Sequence, residues 1–297
     1  MYSWGNSLDD WARPGAYAFD PALKDRRARD ARASRAKGPR TYNRRSGPDE
    51  EIVDPRKLVR SKSKNPMVIS VDVTGLMARW PFEIFDRLPL LYNTLSQYRP
   101  DLEICFAAIG DAGCDRWPLQ VTRFSKGFAL ESQLGSLYGE GGGGDEPESY
   151  GLFAWWMKSH VTVTAEEKPF LIVFGDATMH PKVPADQAHR VCGDELSQAQ
   201  NSVGLWREVS RQWNTWFLRR VGRPGDRVAR QWSKAVGKDR ILPIQDEQRA
   251  VDYALGLVAL HWGCFDDFRA NMGARQSEAA IKAVERDLKS LRRRRSA

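Results

Sequence analysis

Long apolar runs are missing from this chain of 297 residues. No stretch approaches the roughly 20 consecutive apolar residues that a membrane-spanning helix needs. The first residues also lack a basic start followed by an apolar stretch, which is the pattern of a secretory signal. We therefore expect a cytoplasmic protein that does not enter a membrane.

Recognisable catalytic motifs are missing as well. The sequence contains no Gly-x-Ser-x-Gly elbow, no Walker loop and no His-Glu-x-x-His helix. The sequence has four scattered cysteines, which are Cys105, Cys114, Cys192 and Cys264. None of them forms a Cys-x-x-Cys pair, and this pattern is typical of reduced, mostly buried thiols. We expect no catalytic residues and no enzymatic activity.

The formal net charge of +8 is concentrated at the two ends of the chain. Residues 1–65 hold 16 Lys and Arg against 9 Asp and Glu, residues 273–297 hold 8 against 3, and residues 66–272 carry a net −4. The first 65 residues contain few aliphatic side chains, so they cannot offset the entropy of ordering by themselves. We predict a basic arm over residues 1–65, disordered or ordered only on a partner, and a basic helix or tail over residues 266–297.

Between these ends, short apolar runs alternate with helical patterns. Residues 67–71 and 170–174 have the length and composition of buried strands, and residues 84–95 and 248–261 have the apolar spacing of helices. Such alternation predicts a mainly parallel sheet covered by helices on both faces. We therefore predict an α/β domain over residues 66–265 with a doubly wound, Rossmann-like sheet.

Two acidic residues stand where predicted strands end. Asp72 follows the first strand, with the hydroxyl of Thr74 two residues later, and Asp176 follows the strand at 170–174. Ligands of doubly wound sheets bind at the carboxyl ends of the strands. Oxygen ligands without His or Cys suit a hard cation such as Mg²⁺. The alternative is that each Asp caps the helix that follows it.

Three segments, in this order, resemble the metal-ion-dependent adhesion site (MIDAS) of von Willebrand factor A (vWA) domains. Asp72-Val-Thr-Gly-Leu-Met77 resembles its Asp-x-Ser-Gly-Ser-Met opening. Gly-Gly-Gly-Asp145-x-Pro-Glu148 resembles the second metal loop of some intracellular members, and Phe-Gly-Asp176 resembles the third. The resemblance covers about residues 66–265 and implies the vWA fold.

The resemblance also implies a set of metal ligands. Asp72, Thr74, Asp145 and Asp176 are expected to bind Mg²⁺ or Mn²⁺ directly or through water. Leu76 stands where the family has a second hydroxyl, which implies weaker metal binding or its loss.

The function implied by this resemblance is that of a non-catalytic adaptor. In the family, the bound cation keeps an open coordination position that an acidic side chain of a protein partner completes. Intracellular relatives often serve ATPase-driven assemblies, so an ATPase or assembly component is the expected partner. The alternative is a structural or nucleic-acid-associated scaffold that binds through its basic arms, including Arg292–Arg295.

Two further signals remain open. Asp111 follows the predicted strand at 102–109, so it either lies beside the same site or forms a turn. Two His-x-x-Cys pairs could together form a zinc site, or else belong to the core: His189 with Cys192, and His261 with Cys264.

Overall fold

The computed structural model describes residues 47–77, 80–127, 129–139, 147–220, 226–273 and 276–296. By their contacts, these residues form two compact units. The sheet unit contains described residues of 47–81 and 101–245, and the helical unit contains those of 82–100 and 246–296. Residues 1–46 of the predicted basic arm lie outside the described residues, and its boundary at residue 65 stays a prediction.

The described part of the sheet unit contains ten strands. In chain order they are β1 (Val59–Ser61), β2 (Pro66–Asp72), β3 (Glu103–Ile109), β4 (Leu119–Val121), β5 (Val161–Val163), β6 (Phe170–Gly175), β7 (Lys182–Val183), β8 (Gln200–Asn201), β9 (Asn214–Arg220) and β10 (Ile241–Ile244).

Six of these strands form the central sheet, in the order β10-β9-β6-β2-β3-β4. Every neighbouring pair in this sheet is parallel except β3 and β4. The strands β1 and β5 form a separate parallel pair, and β7 and β8 form an antiparallel pair. The predicted α/β class and the mainly parallel sheet are confirmed.

Nine α-helices lie within the described residues. In chain order they are α1 (Trp80–Tyr98), α2 (Ala129–Gly135), α3 (Tyr150–His160), α4 (Ala185–Cys192), α5 (Ser202–Gln212), α6 (Arg227–Val236), α7 (Ala250–Trp262), α8 (Phe265–Gly273) and α9 (Glu278–Ser296).

The core of the sheet unit lies between the central sheet and the helices α3, α5 and α6. Helix α6 buries Val228, Trp232 and Ala235, which recur every three or four residues and so share one face of the helix. Asp226 caps this helix by accepting a hydrogen bond from the Ala229 N–H at 2.9 Å. Trp232 stacks on Phe217 of β9 with 3.9 Å between ring centroids, so the cap and the apolar face together fix α6 on the sheet.

The helical unit is held by close packing around α7, in which every residue from Ala250 to Ala259 is buried. Gly256 permits this packing, because an added Cβ would lie 2.5 Å from Leu288 and 2.8 Å from Phe268. Tyr253 donates a hydrogen bond to Asp287 of α9 at 2.7 Å. The predicted helix near the C-terminus is therefore present as α9, and it packs on α7.

None of the helices within the described residues combines the length and the apolar character that crossing a membrane requires.

Replacing Trp232 by alanine is expected to lower the free energy of unfolding by about 3–5 kcal/mol, because a fully buried indole is replaced by a cavity. The lost hydrogen bond from the Trp232 Nε1–H to the Ala177 carbonyl, at 3.0 Å, adds to this cost. Urea denaturation followed by circular dichroism measures the change. Leu58→Ala is the control, since Leu58 is 63 % exposed and should change stability by less than about 0.5 kcal/mol. Equal effects of the two substitutions would contradict this packing.

Candidate metal centre

The register of the central sheet brings two of the predicted ligands to the same edge. Strands β2 and β6 are parallel neighbours, with Val71 opposite Phe174. Asp72 is the last residue of β2, and Asp176 directly follows β6. Both acids therefore lie at the carboxyl edge of the sheet, as the strand assignments predict.

Asp72 is completely buried, and hydroxyl groups surround its carboxylate. Its Oδ1 accepts hydrogen bonds from the Thr74 N–H at 2.9 Å and from the Thr74 hydroxyl at 2.7 Å. Its Oδ2 accepts a hydrogen bond from the Tyr150 hydroxyl at 2.5 Å. Burial raises the pKa of Asp72 to about 7, and the charge of Asp176 adds to the rise, while the hydrogen bonds oppose it.

Glu148 is a site residue that the ligand prediction missed. Its side chain is 1 % exposed, and among the described residues no donor forms a hydrogen bond to either of its carboxylate oxygens. The Thr74 hydroxyl is close enough to influence Glu148, but a hydroxyl has one proton and this one is donated to Asp72. Burial and then the charge of Asp72 raise the pKa of Glu148 to about 9.

The backbone of Glu148 is held firmly although its side chain is not. Its N–H donates to the Thr178 carbonyl at 2.8 Å, and its carbonyl accepts from the His180 N–H at 3.2 Å. Glu148 thus forms a parallel bridge with the chain beyond β6. The backbone therefore places Glu148 close enough to Asp72 for the charge of Asp72 to act on its side chain.

Asp111 forms the turn that was one of its two predicted roles. The N–H of Asp115 donates to the Asp111 carbonyl at 2.7 Å, and the Asp111 side chain accepts from the Gly113 N–H at 3.0 Å and from His180 Nε2 at 2.8 Å. Burial opposes ionisation, but these hydrogen bonds and the charge of His180 prevail and lower the pKa of Asp111. Its negative charge in turn raises the pKa of Glu148, so Asp111 also lies near the site.

Asp176 differs from Asp72 because a cation lies beside it. Arg220 Nη1 is 3.7 Å from Asp176 Oδ2, and the two side chains are 25 % and 18 % exposed. Arginine recurs in the basic arm and the tail, and nothing in the sequence marks this one as a neighbour of the site.

Two positions of the resemblance remain untested by the structure. Asp145 and the glycines before it lie outside the described residues. The side chain of Leu76 is not described either, although its backbone belongs to the short 3-10 helix Gly75–Met77. The roles predicted for both positions stay predictions.

Among the described residues, no group of three or more His, Cys, Asp or Glu side chains is arranged so that it could hold a metal ion. The His-x-x-Cys residues have other neighbours. His189 pairs with Glu195 at 2.9 Å, and His261 Nδ1 lies 2.9 Å from the Leu257 carbonyl. A magnesium-type site would therefore include hydroxyl or water oxygens beside the described acids.

Comparison with known proteins yields weak structural similarities. Neither the protein-family models nor the curated proteins match this chain. The pilus adhesin SpaC of Lactobacillus rhamnosus GG aligns with 69 % of the chain at 10 % identity and a TM-score of 0.47, and the chain covers 31 % of that protein. Proximal thread matrix protein 1 of the mussel byssus aligns with 69 % of the chain at 10 % identity and a TM-score of 0.44, and 49 % of that protein is covered. The chain thus spans less than two thirds of either protein, and similarities at this level support no conclusion about function.

Gly175→Ala is expected to disturb the site, because the added Cβ would lie 2.0 Å from the Tyr150 hydroxyl that binds Asp72. Removing this overlap requires a shift of Tyr150 or of β6, at a cost of about 1–3 kcal/mol. Thermal denaturation measures the loss. Gly135→Ala is the matched control, since an added Cβ there meets nothing within 4 Å. A Gly175→Ala protein as stable as the Gly135→Ala protein would contradict this geometry.

The raised pKa values predict how the stability of the metal-free protein depends on pH. In the unfolded chain both carboxyl groups have an ordinary pKa near 4, whereas in the folded protein the pKa is about 7 for Asp72 and about 9 for Glu148. At a pH between the unfolded and the folded pKa, the folded state binds more protons than the unfolded state. The free energy of unfolding therefore falls as the pH rises through this window. In EDTA, we expect the melting temperature to decrease from about pH 5 to about pH 9.

The control for this pH dependence is Glu148→Gln, which cannot ionise. Its melting temperature should fall less steeply over the whole range, and most visibly between about pH 7 and about pH 9, where Asp72 no longer contributes and Glu148 is still protonated in the folded wild-type protein. A wild-type melting temperature in EDTA that rises over the same range would refute the assignment.

Proposed function

We propose that this chain is a non-catalytic adaptor of the vWA type that binds a protein partner through a divalent cation at the carboxyl edge of its sheet. The observation that carries the proposal is Glu148, whose two buried carboxylate oxygens have no donor among the described residues. Asp72 is buried at the same edge, and its charge acts on Glu148.

A bound cation accounts for two buried carboxylates at one place. Removing a carboxylate from water is costly unless a counter-charge or hydrogen bonds compensate. The hydrogen bonds from Thr74 and Tyr150 compensate Asp72, but Glu148 has no such compensation among the described residues. A divalent cation would stabilise both charges at once, and it is the largest local charge that such a site can acquire.

The ligand chemistry favours Mg²⁺ or Mn²⁺. Asp72, Glu148 and the hydroxyl of Thr74 offer only oxygen, and Mg²⁺ prefers oxygen ligands and keeps several waters. In this proposal Asp176 and Asp145 join the shell directly or through water, as the resemblance implies. Leu76 supplies no hydroxyl, so we expect an affinity below that of a site with the full set of ligands.

The doubly wound vWA fold is part of the same proposal. Its support is the order of the three resembling segments together with the positions of Asp72 and Asp176 at the ends of neighbouring parallel strands. The expected role of the cation is to leave one coordination position for an acidic side chain of the partner. An ATPase or another assembly component, in the cytoplasm, is the partner class that the resemblance implies.

Binding suits this edge better than catalysis by Asp72. Both of its carboxylate oxygens already accept hydrogen bonds, from Thr74 and from Tyr150, and the side chain is fully buried. A carboxylate so placed is a poor nucleophile or general base, because these roles require contact with substrate. The same arrangement suits a group that positions a cation.

Isothermal titration with MnCl₂ and with MgCl₂ tests the metal site. We expect the wild-type protein to bind, and Asp72→Asn or Glu148→Gln to weaken binding about tenfold or more, since each removes a charged oxygen donor. Glu166→Gln is the matched control: Glu166 is an exposed acid before β6, at the opposite end of that strand, and its replacement should leave the affinity unchanged. Wild-type protein that produces no heat with either metal would remove the basis of this proposal.

A pull-down from host lysate tests the adaptor role. We expect a partner that is captured by the wild-type protein and lost both in EDTA and with Asp72→Asn. A partner that survives both changes, but is lost at high salt or without residues 1–46, would instead support the scaffold that binds through its basic arms.

A further inference from the structure

The ends of strands β6 and β9 place an arginine beside one of the proposed ligands. The two strands are parallel, with Gly175 opposite Arg219, so Asp176 and Arg220 occupy the next pair of positions. Arg220 Nη1 lies 3.7 Å from Asp176 Oδ2. Arg219 pairs instead with Asp226, the cap of α6, because successive side chains of a strand point to opposite faces.

We propose that Arg220 determines the affinity and the charge selectivity of the cation site. In the metal-free protein its guanidinium neutralises Asp176, and a cation that uses Asp176 must displace it. This inference rests on the proposed metal site. It adds that the Arg220 guanidinium competes with the cation for the carboxylate of Asp176.

The geometry of the pair suits a competitor that can leave. At 3.7 Å the two atoms are close enough for an ion pair but too far apart for a hydrogen bond. Both side chains keep some contact with solvent, at 25 % and 18 % exposure, so a cation can reach the pair from that side. A cation that takes the place of Arg220 beside Asp176 would supply the positive charge that this partly buried carboxylate loses.

The exchange of charges favours a divalent ion. A monovalent cation that displaces Arg220 replaces one positive charge by another, so the electrostatic gain at Asp176 is small. A divalent cation brings a second positive charge, which also acts on Asp72. Asp72 and Asp176 are close enough for this, because the charge of Asp176 already raises the pKa of Asp72. Arg220 thus penalises Na⁺ and K⁺ more strongly than Mg²⁺ or Mn²⁺.

Titration of the full-length protein with MnCl₂ tests this role. We expect Arg220→Met to bind Mn²⁺ about three- to tenfold more tightly than wild type, the range expected when one partly exposed ion pair no longer competes. Arg220→Lys keeps the charge and should stay close to wild type. Arg60→Met is the control for overall charge, because Arg60 is exposed and lies away from the proposed site. Its neighbour Ser61 donates a hydrogen bond to Glu103, the first residue of β3, at the opposite end of the central sheet.

Selectivity is measured at constant ionic strength. Potassium chloride then replaces tetramethylammonium chloride in the buffer, so that K⁺ can compete for the site. This replacement should weaken the binding of Mn²⁺ to Arg220→Met more than its binding to wild type. Equal sensitivity of the two proteins would overturn the selectivity role.

The outcomes separate this inference from the metal site itself. If wild type binds Mn²⁺ and Asp72→Asn does not, but Arg220→Met binds no more tightly than wild type, the metal site stands and the role of Arg220 is overturned. Weaker binding by Arg220→Met would also overturn it, since Arg220 would then support Asp176 rather than compete for it. If neither wild type nor Arg220→Met binds Mn²⁺, while circular dichroism shows both folded, the site and the inference fall together.

Discussion

Repulsion between buried carboxylates is the constraint on which the carboxyl edge of the sheet depends. Asp72, Glu148 and Asp111 are each at least 99 % buried, and the charges of Asp72 and Asp111 both act on Glu148. In a medium of low polarity, such charges interact much more strongly than they do in water. Hydrogen bonds stabilise Asp72 and Asp111 as anions, whereas Glu148 has none among the described residues. Below about pH 9 a proton on Glu148 relieves this repulsion, and a bound cation would take over that role when the proton leaves.

The hydrogen bond from Tyr150 ties this edge to the apolar core. Its ring packs edge-on against Trp232 and Phe217, with centroids 5.1 and 6.2 Å away, while its hydroxyl binds Asp72. Gly175 leaves the space that this hydroxyl needs. The position of the proposed cation ligand thus depends on the packing of α3 and α6 on the sheet.

The sequence was sufficient for the strands and for two acids at their ends, because continuous apolar runs identify β2 and β6 and the next residues can be read directly. It was insufficient for contacts that depend on strand order. Arg220 approaches Asp176 only because β9 pairs with β6, and no local pattern states that pairing. Glu148 was part of a resembling segment. Only the folded structure shows that its carboxylate is buried with no hydrogen-bond donor among the described residues. Asp145, predicted from the same segment, lies outside the described residues.

The aromatic cluster around Tyr150 gives the protein an internal optical reporter. Trp232 lies against Tyr150, Phe217 and Trp206, with the second indole centred 5.1 Å away. Excitation of a tyrosine so close to an indole is transferred to it, and indole emission responds to the polarity and order of its surroundings. A change at Asp72 that moves the Tyr150 hydroxyl would therefore alter the emission of a tryptophan in the core, and events at the edge of the sheet could be followed without any added label.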